Sequence, residues 1–265
     1  MADTTLPVSA DTLKIWEGVY RSFDEAAADQ EGPGFDGTTW HTRSAVSARE
    51  CLAALQAGQP IPQFHKQRSV LLPPVAALLL AQRPRLRILD FGGNLGIGYL
   101  TLVESIPEAA RRIEYTIVEK PKTCEEGRRL LAGDIGYHSA LPEHGTFDLV
   151  HSSSALQYVQ DWQRVLERLA GYPADFILLS DVFAGSIPTF VTLQRYYDSR
   201  IPHWFWNLDE FLTPWTQAGY RVDMKTFASS RRLGIDDTLP MGHFPNTHRL
   251  EQTLHILLRR MSGNP

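Results

Sequence analysis

An α/β fold, a mainly parallel sheet wrapped by helices, is what the sequence predicts, and three features carry that expectation. From Arg85 onward short apolar runs alternate with amphipathic stretches of helical period. The first apolar run passes directly into a glycine-rich turn, Asp90-Phe-Gly-Gly-Asn-Leu-Gly. The second ends, like the first, on an acid, Glu119. Parallel strands are buried on both faces and read as continuous hydrophobic runs, while their crossover connections read as helices.

The N-terminal part has a different texture. The stretch TLKIWEGVYRSFDEAAA has apolar residues at helical spacing, with Thr12 as its expected N-cap. Glu31-Gly-Pro-Gly-Phe-Asp-Gly breaks the periodicity and reads as a loop. A second helix is expected from Ser44, as N-cap, to Ala57. Ser69 to Ala81 is the most apolar stretch, but it falls short of the roughly 20 residues a membrane span needs and carries Pro73 and Pro74. It is expected to be a buried helix. Residues 1–82 are therefore read as a helical cap that packs on a larger domain, 83–265.

Seven strands are expected in that domain: Leu86–Phe91, Ile113–Glu119, a weaker Ile135–Ser139, Phe147–Ser152, Phe176–Val182, Tyr220–Phe227 and Thr253–Arg259. Helices are placed between them at Gly98–Ser105, Thr123–Ala132 and Asp161–Leu169. After the fifth strand simple alternation stops. An aromatic-rich insertion from Ala184 to Trp206 precedes a helix, Asn207–Ala218.

Composition narrows the function classes. In 265 residues, 43% are hydrophobic and 21% charged, which is ample for a globular core. Lys and Arg number 26 against 30 Asp and Glu, a net charge of −4 that offers phosphate backbones no attraction, so no nucleic-acid partner is expected. Cys51 and Cys124 have no metal-ligand spacing and cannot staple a chain this long, so a reducing, cytoplasmic setting and no metal are expected. The first residues lack the basic and apolar regions of a secretory signal, and no membrane association is expected.

The chemistry is concentrated where strands end. A strand, a glycine-rich turn and a helix N-terminus let a ligand approach bare backbone and meet unpaired amide donors. No three glycines here have the G-x-G-x-x-G spacing. The pattern is D-x-G-x-x-x-G, with Asp90, Gly92 and Gly96, and it resembles the first motif of class I methyltransferases that bind S-adenosylmethionine. The resemblance implies a Rossmann-like sheet with the last strand antiparallel. It also implies that Asp90 sits near the methionine ammonium and that Gly92 and Gly93 admit the amino-acid moiety, so that a side chain at Gly92 would fill the ligand's space. Asn94 stands where the common pattern has glycine.

Glu119 lies 23 residues after Gly96 and ends an apolar run, where a carboxylate can accept hydrogen bonds from both ribose hydroxyls. His138 and Ser139, after the third strand, fall in the region that reads the adenine. Ser152-Ser-Ser-Ala-Leu-Gln-Tyr-Val follows the fourth strand; Ser153 and Ser154 are expected on the cofactor and Tyr158 nearest the sulfonium. His151 reads either as a strand histidine with a backbone partner or as catalytic. Three residues are candidates for taking a proton from an acceptor: Tyr158, Asp181 after the fifth strand, and His203 in the insertion. Trp204, Phe205 and Trp206 form either an apolar wall or core. Tyr196 and Tyr197 belong either to a polar acceptor pocket or to the surface of a helix.

The segments GVYRSFDEA, LDFGGNLG, YTIVEK, SSSALQYV, VTLQ and WFWNLDEF, in this order from Trp16 to Tyr220, are similar to a bacterial family of S-adenosylmethionine-dependent methyltransferases marked by DFGG. The reading is methyl transfer to a small or medium-sized acceptor, oxygen ahead of nitrogen, on a sugar or specialised metabolite, with S-adenosylhomocysteine as product; homodimerisation stays open. Two other classes remain. An NAD-linked oxidoreductase shares the strand, turn and acid but needs the missing glycine spacing. A non-catalytic S-adenosylmethionine-binding regulatory module would keep the cofactor site without the acceptor pocket.

Overall fold

The computed structural model describes residues 14–131, 133, 135–228 and 238–261. Its elements run in the order β1 Trp16–Tyr20, α1 Phe23–Ala28, α2 Thr38–Gln56, α3 Gln63–Lys66, α4 Leu72–Leu80, β2 Leu86–Phe91, α5 Ile97–Ser105, α6 Ala109–Arg112, β3 Ile113–Val118 and α7 Pro121–Leu130. There follow β4 Ile135–His138, β5 Leu149–Ser153, α8 Trp162–Gly171, β6 Phe176–Val182, β7 Ala184–Gly185, β8 Phe190–Tyr196, β9 Ser199–Asn207, α9 Leu208–Gln217, β10 Tyr220–Ala228 and β11 Thr253–Arg260.

Seven strands form the main sheet in the order β10-β11-β6-β5-β2-β3-β4. The β2, β3, β4, β5 and β6 pairings are parallel, and β11 runs antiparallel to both β6 and β10. The chain starts in the middle at β2, builds outward through β3 and β4, then returns to the other side at β5. That reversal opens a crevice above the carboxyl ends of β2 and β5, the position where open α/β sheets bind ligands.

Each face of the sheet has its own core, as strands with unbroken apolar runs require. Leu86 and Ile88 of β2 pack with Leu72 and Leu79 of α4 and Leu102 of α5 on one face. Leu89 and Val150 pack on the other with Leu166 of α8 and with Phe211 and Trp215 of α9. The last helix is capped as the sequence dictates: Asn207 Oδ1 accepts from the amides of Asp209 at 3.0 Å and Glu210 at 3.2 Å, and those two acids face the positive end of the dipole.

The N-terminal region departs from the helical reading. Trp16–Tyr20 is a strand, paired antiparallel with β8, and joins a second sheet of order β1-β8-β9-β7. Gly18 has φ +80 within it, and the register shifts between Glu17 and Tyr20, a bulge that accommodates the glycine. The aromatic insertion is thus not a separate appendage: β8 and β9 form a hairpin whose free edge is covered by the start of the chain. Thr12 lies outside the described residues. Ser44 is not a helix cap, because α2 already begins at Thr38 after Gly37. Tyr196 and Tyr197 stand at the β8–β9 turn, Tyr197 with φ +55, and not on a helix.

Candidate functional site

The glycine turn is shaped by the protein's own packing. Gly92 donates its N–H to the Val118 carbonyl at 2.9 Å and has φ +75, and a Cβ built there would collide with the Ala155 side chain. A Cβ at Gly93 would press on the Asp90 carboxylate, and one at Gly96, with φ +80, on Leu131, Ile135 and Tyr137. The nearest obstacle to a side chain at Gly92 within the protein is Ala155. Asn94 replaces glycine at φ +50, a left-handed conformation that asparagine tolerates. Its Nδ2 donates to Ser44 Oγ at 3.2 Å, while its buried Oδ1 has no hydrogen-bond partner.

Glu119 follows β3 and faces this turn. One carboxylate oxygen accepts from the Asn94 amide at 3.3 Å and the other from the Lys120 amide at 2.8 Å, leaving half of the lone-pair sites for a ligand. Burial pushes the Glu119 carboxyl above the ordinary range, against the pull of those two amides. Lys120 turns away to Asp36 at 3.0 Å.

Asp90 is buried beneath the glycine turn. It is 2% exposed; Oδ2 accepts from the Tyr115 hydroxyl at 2.6 Å and Oδ1 shares a 2.8 Å hydrogen bond with His151 Nδ1. The side chain lies within the sheet beneath the glycine turn, its Oδ2 against the Gly93 position and both oxygens engaged by Tyr115 and His151. His151 has a carboxylate partner, not a backbone one. His138 and Ser139 are exposed at the β4 end, and the His138 carbonyl accepts the Glu119 amide at 3.0 Å.

The β5 and β6 tips carry the other half of the site. Ser153 Oγ donates to the Arg68 carbonyl at 2.8 Å, and Ser154 Oγ donates to Asp181, so both serine side chains are committed within the protein. Ser154 and Asp181 have φ +54 and +56, strain of roughly 1–3 kcal/mol each that neighbouring strand tips hold in place. Asp181 is buried, accepts from Thr253 Oγ1 at 2.6 Å and has the Arg68 Nε at 3.8 Å.

Tyr158 donates to Gln194 Oε1 at 2.8 Å, and burial pushes its phenol far above the usual value, so at neutral pH it is a hydrogen-bond donor and not a base. His203 is corrected from the cleft mouth to the core. It is 0% exposed, its ring set 4.5 Å from Phe183, 5.0 Å from Phe205 and 5.4 Å from Tyr158, because β9 turns it inward. Phe205 and Trp206 are likewise core, whereas the half-buried Trp204 stacks on Phe23 at 6.1 Å.

Two residues of this region escaped the sequence reading. Phe35, on the single 3-10 turn Gly34–Asp36 before α2, places its ring 4.8 Å from Tyr158, 5.3 Å from Tyr196 and 5.5 Å from Trp40, making an aromatic cluster beside the strand tips. Arg68 has no motif around it. The one available signal was a lone cation directly before an apolar helix.

S-adenosylmethionine offers a ribose diol, a carboxylate and an ammonium, and the residues present fit these in kind. Glu119 has lone pairs for a diol, α5 begins at Ile97 after Gly96 with no side-chain cap on its leading amides, and Asn94 Oδ1 is an unused buried acceptor. Among the described residues no three His, Cys, Asp or Glu side chains converge on a metal-sized position, and no helix is long and apolar enough to cross a membrane.

Comparison with known proteins bears on the fold. A S-adenosylmethionine-dependent methyltransferase from Methanosarcina mazei superposes with TM-score 0.51 at 14% identity, over 71% of this chain and 97% of its own. The magnesium protoporphyrin IX methyltransferase of Synechocystis PCC 6803 superposes with TM-score 0.50 at 15% identity, over 86% of this chain and 93% of its own. At these identities the likeness establishes the fold. No curated protein matches the sequence. Residues 64–225, well over half the chain, match the family described as methyltransferase domain, and the chain belongs to that family.

Proposed function

We propose that this protein moves the methyl group of S-adenosylmethionine to a small or medium-sized acceptor held in the cleft of Phe35, Tyr158 and Tyr196. Oxygen is the favoured acceptor atom, on a sugar or specialised metabolite. What supports this reading is Glu119, with lone pairs left for a diol, and the aromatic cluster of Phe35, Tyr158 and Tyr196, joined by the turn that holds Phe35 and Asp36.

When bound, S-adenosylmethionine supplies an electrophilic methyl and its own leaving group, so what the chain must add is position, dryness and a destination for one proton. Glu119 grips the ribose, Asn94 Oδ1 takes the ammonium, and the leading amides of α5 face the carboxylate. Gly92, Gly93 and Gly96 hold the turn in shape, and His138 and Ser139 flank the adenine end. Tyr158, its O–H held by Gln194, orients the acceptor through the lone pairs left on its oxygen, with His203 behind it fixing the ring. Asp181 at the β6 tip accepts the proton released by a hydroxyl acceptor. Residues 14–82, with the β8–β9 hairpin, act as the cover over the sheet's carboxyl end and exclude water.

Incubation with methyl-labelled S-adenosylmethionine and a panel of hydroxylated and amino acceptors tests this. Label appearing in an acceptor, and lost in Glu119→Ala, supports the reading. Tight cofactor binding with no transfer to any acceptor class would favour a regulatory module.

A further inference from the structure

The two amides that hold the Glu119 carboxylate belong to residues whose side chains are both tied to one stretch of chain, and a histidine lies in the middle of that stretch. Asn94 donates its amide to one Glu119 oxygen at 3.3 Å, and Lys120 donates to the other at 2.8 Å. The Lys120 ammonium pairs with Asp36 at 3.0 Å, just before α2, and Asn94 Nδ2 donates to Ser44 Oγ at 3.2 Å, in the second turn of that helix. Residues 36–44 therefore straddle the Glu119 carboxylate, with His41 between the two ties. Helical spacing fixes the side of α2 on which His41 stands. Residues at i, i+4 and i+7 share a stripe, and in the stripe of His41, Ala45 and Ala48 the two alanines pack against Leu95, the residue after Asn94. His41 Nε2 is buried and has no hydrogen-bond partner among the described residues. Burial, and after it the charge of Lys122, pushes the imidazole pKa down, so at neutral pH the ring is uncharged, with one N–H and one lone pair.

We propose that His41 is a further cofactor-binding residue, whose Nε2 hydrogen-bonds a ribose hydroxyl from the α2 side while Glu119 accepts from the same diol. The inference rests on the reading of Glu119 as the ribose ligand and extends it to the N-terminal cap. A diol brings two O–H donors and the lone pairs of two oxygens, and a carboxylate can satisfy only the donors. The imidazole N–H supplies the missing donor. A lysine in its place would pair with the Glu119 charge and compete with the sugar, whereas a neutral ring does not. The cap thus adds a ligand to the site as well as covering it, and a buried polar atom that is unsatisfied in the empty protein gains its partner when the cofactor binds.

Calorimetry on the full chain tests this with three probes: S-adenosylhomocysteine and its 2′-deoxy and 3′-deoxy analogues. His41→Ala should weaken S-adenosylhomocysteine binding about two- to tenfold, the worth of one hydrogen bond. It should not lower the Tm of the empty protein, because alanine favours the helix and removes an unsatisfied buried atom. The weakening should disappear with at least one deoxy analogue, the one lacking the hydroxyl that Nε2 meets, which parent and variant should then bind alike. His41→Gln, whose amide falls short of the ring's reach, should show a smaller loss with the same dependence on the analogue, and it serves where the alanine variant does not fold. Unchanged affinity in His41→Ala, with or without a lowered Tm, overturns the inference. Equal weakening with all three probes overturns the ribose assignment. The parent titration separates the two claims: if the parent binds no S-adenosylhomocysteine, the reading of Glu119 fails and this inference with it, whereas normal parent binding matched by the variants removes His41 alone.

Discussion

Asp90 and His151 occupy paired positions on the parallel strands β2 and β5, and their side chains meet Oδ1 to Nδ1 at 2.8 Å, both 2% exposed or less. With Tyr115 on the other oxygen, the acid that ends the first strand spends its charge inside the sheet, stiffening the tip from which the glycine turn departs.

Removing that acid leaves a buried histidine and a buried phenol without their common acceptor. Asp90→Ala should cost about 3–5 kcal/mol in urea unfolding, the penalty for breaking a buried hydrogen-bonded pair. The fraction that remains folded should bind S-adenosylhomocysteine nearly as well as the parent. A variant of normal stability with lost ligand affinity would place Asp90 on the ligand after all.

Glu119 is expected to trade stability for binding. Its folded-state carboxyl is raised by burial, so the folded chain holds that proton more tightly than the unfolded chain does, for which the value is about 4.3. The contribution to stability is thus greatest below the unfolded value and is lost as pH rises through the folded one. At pH 7.5 the ionised group is a net cost to the empty protein. Glu119→Gln should raise Tm there while lowering S-adenosylhomocysteine affinity by at least about tenfold, each lost hydrogen bond to the charged group being worth roughly 1.5–3 kcal/mol. In the parent, affinity should fall as pH descends through the raised value. A lowered Tm together with unchanged affinity would contradict both parts.

Gly92 tests whether the turn is shaped by packing. Gly92→Ala should destabilise by about 1–3 kcal/mol through overpacking on Ala155 and the positive φ. Gly92→Ala combined with Ala155→Gly should recover part of that loss in thermal unfolding, since the two sites touch. Equal losses in the single and double variants would mean that Ala155 is not the obstacle.

Tyr158 should act as a donor throughout the working range. Tyr158→Phe should lower the methyl-transfer rate up to about tenfold, the worth of one orienting hydrogen bond of roughly 0.5–1.5 kcal/mol, without changing cofactor affinity. The parent's rate profile should show no limb near pH 10, because burial holds the phenol protonated beyond it. A limb there that vanishes in the variant would make Tyr158 the base.

The main sheet was legible because its strands are contiguous apolar runs whose burial is decided locally: Leu86–Phe91 and Phe176–Val182 lie where the sequence places them. The position of Glu119 against the turn followed from the same βαβ spacing. Trp16–Tyr20 was not legible, since its spacing suits a helix and the partner that makes it a strand, Phe190–Tyr196, lies far along the chain. The inward turn of Asp90 depends on Tyr115 and His151, which only strand pairing brings to it. Phe35 and Arg68 lie on single 3-10 turns, Gly34–Asp36 and Gln67–Ser69, too short for any periodicity to record.

A crystal structure with bound S-adenosylhomocysteine tests the central claim most directly. The ribose hydroxyls should lie about 2.6–3.0 Å from the Glu119 carboxylate, with the sulfur opening toward Phe35 and Tyr158. A nucleoside seated away from Glu119, or a sulfur walled off from that cleft, would contradict it.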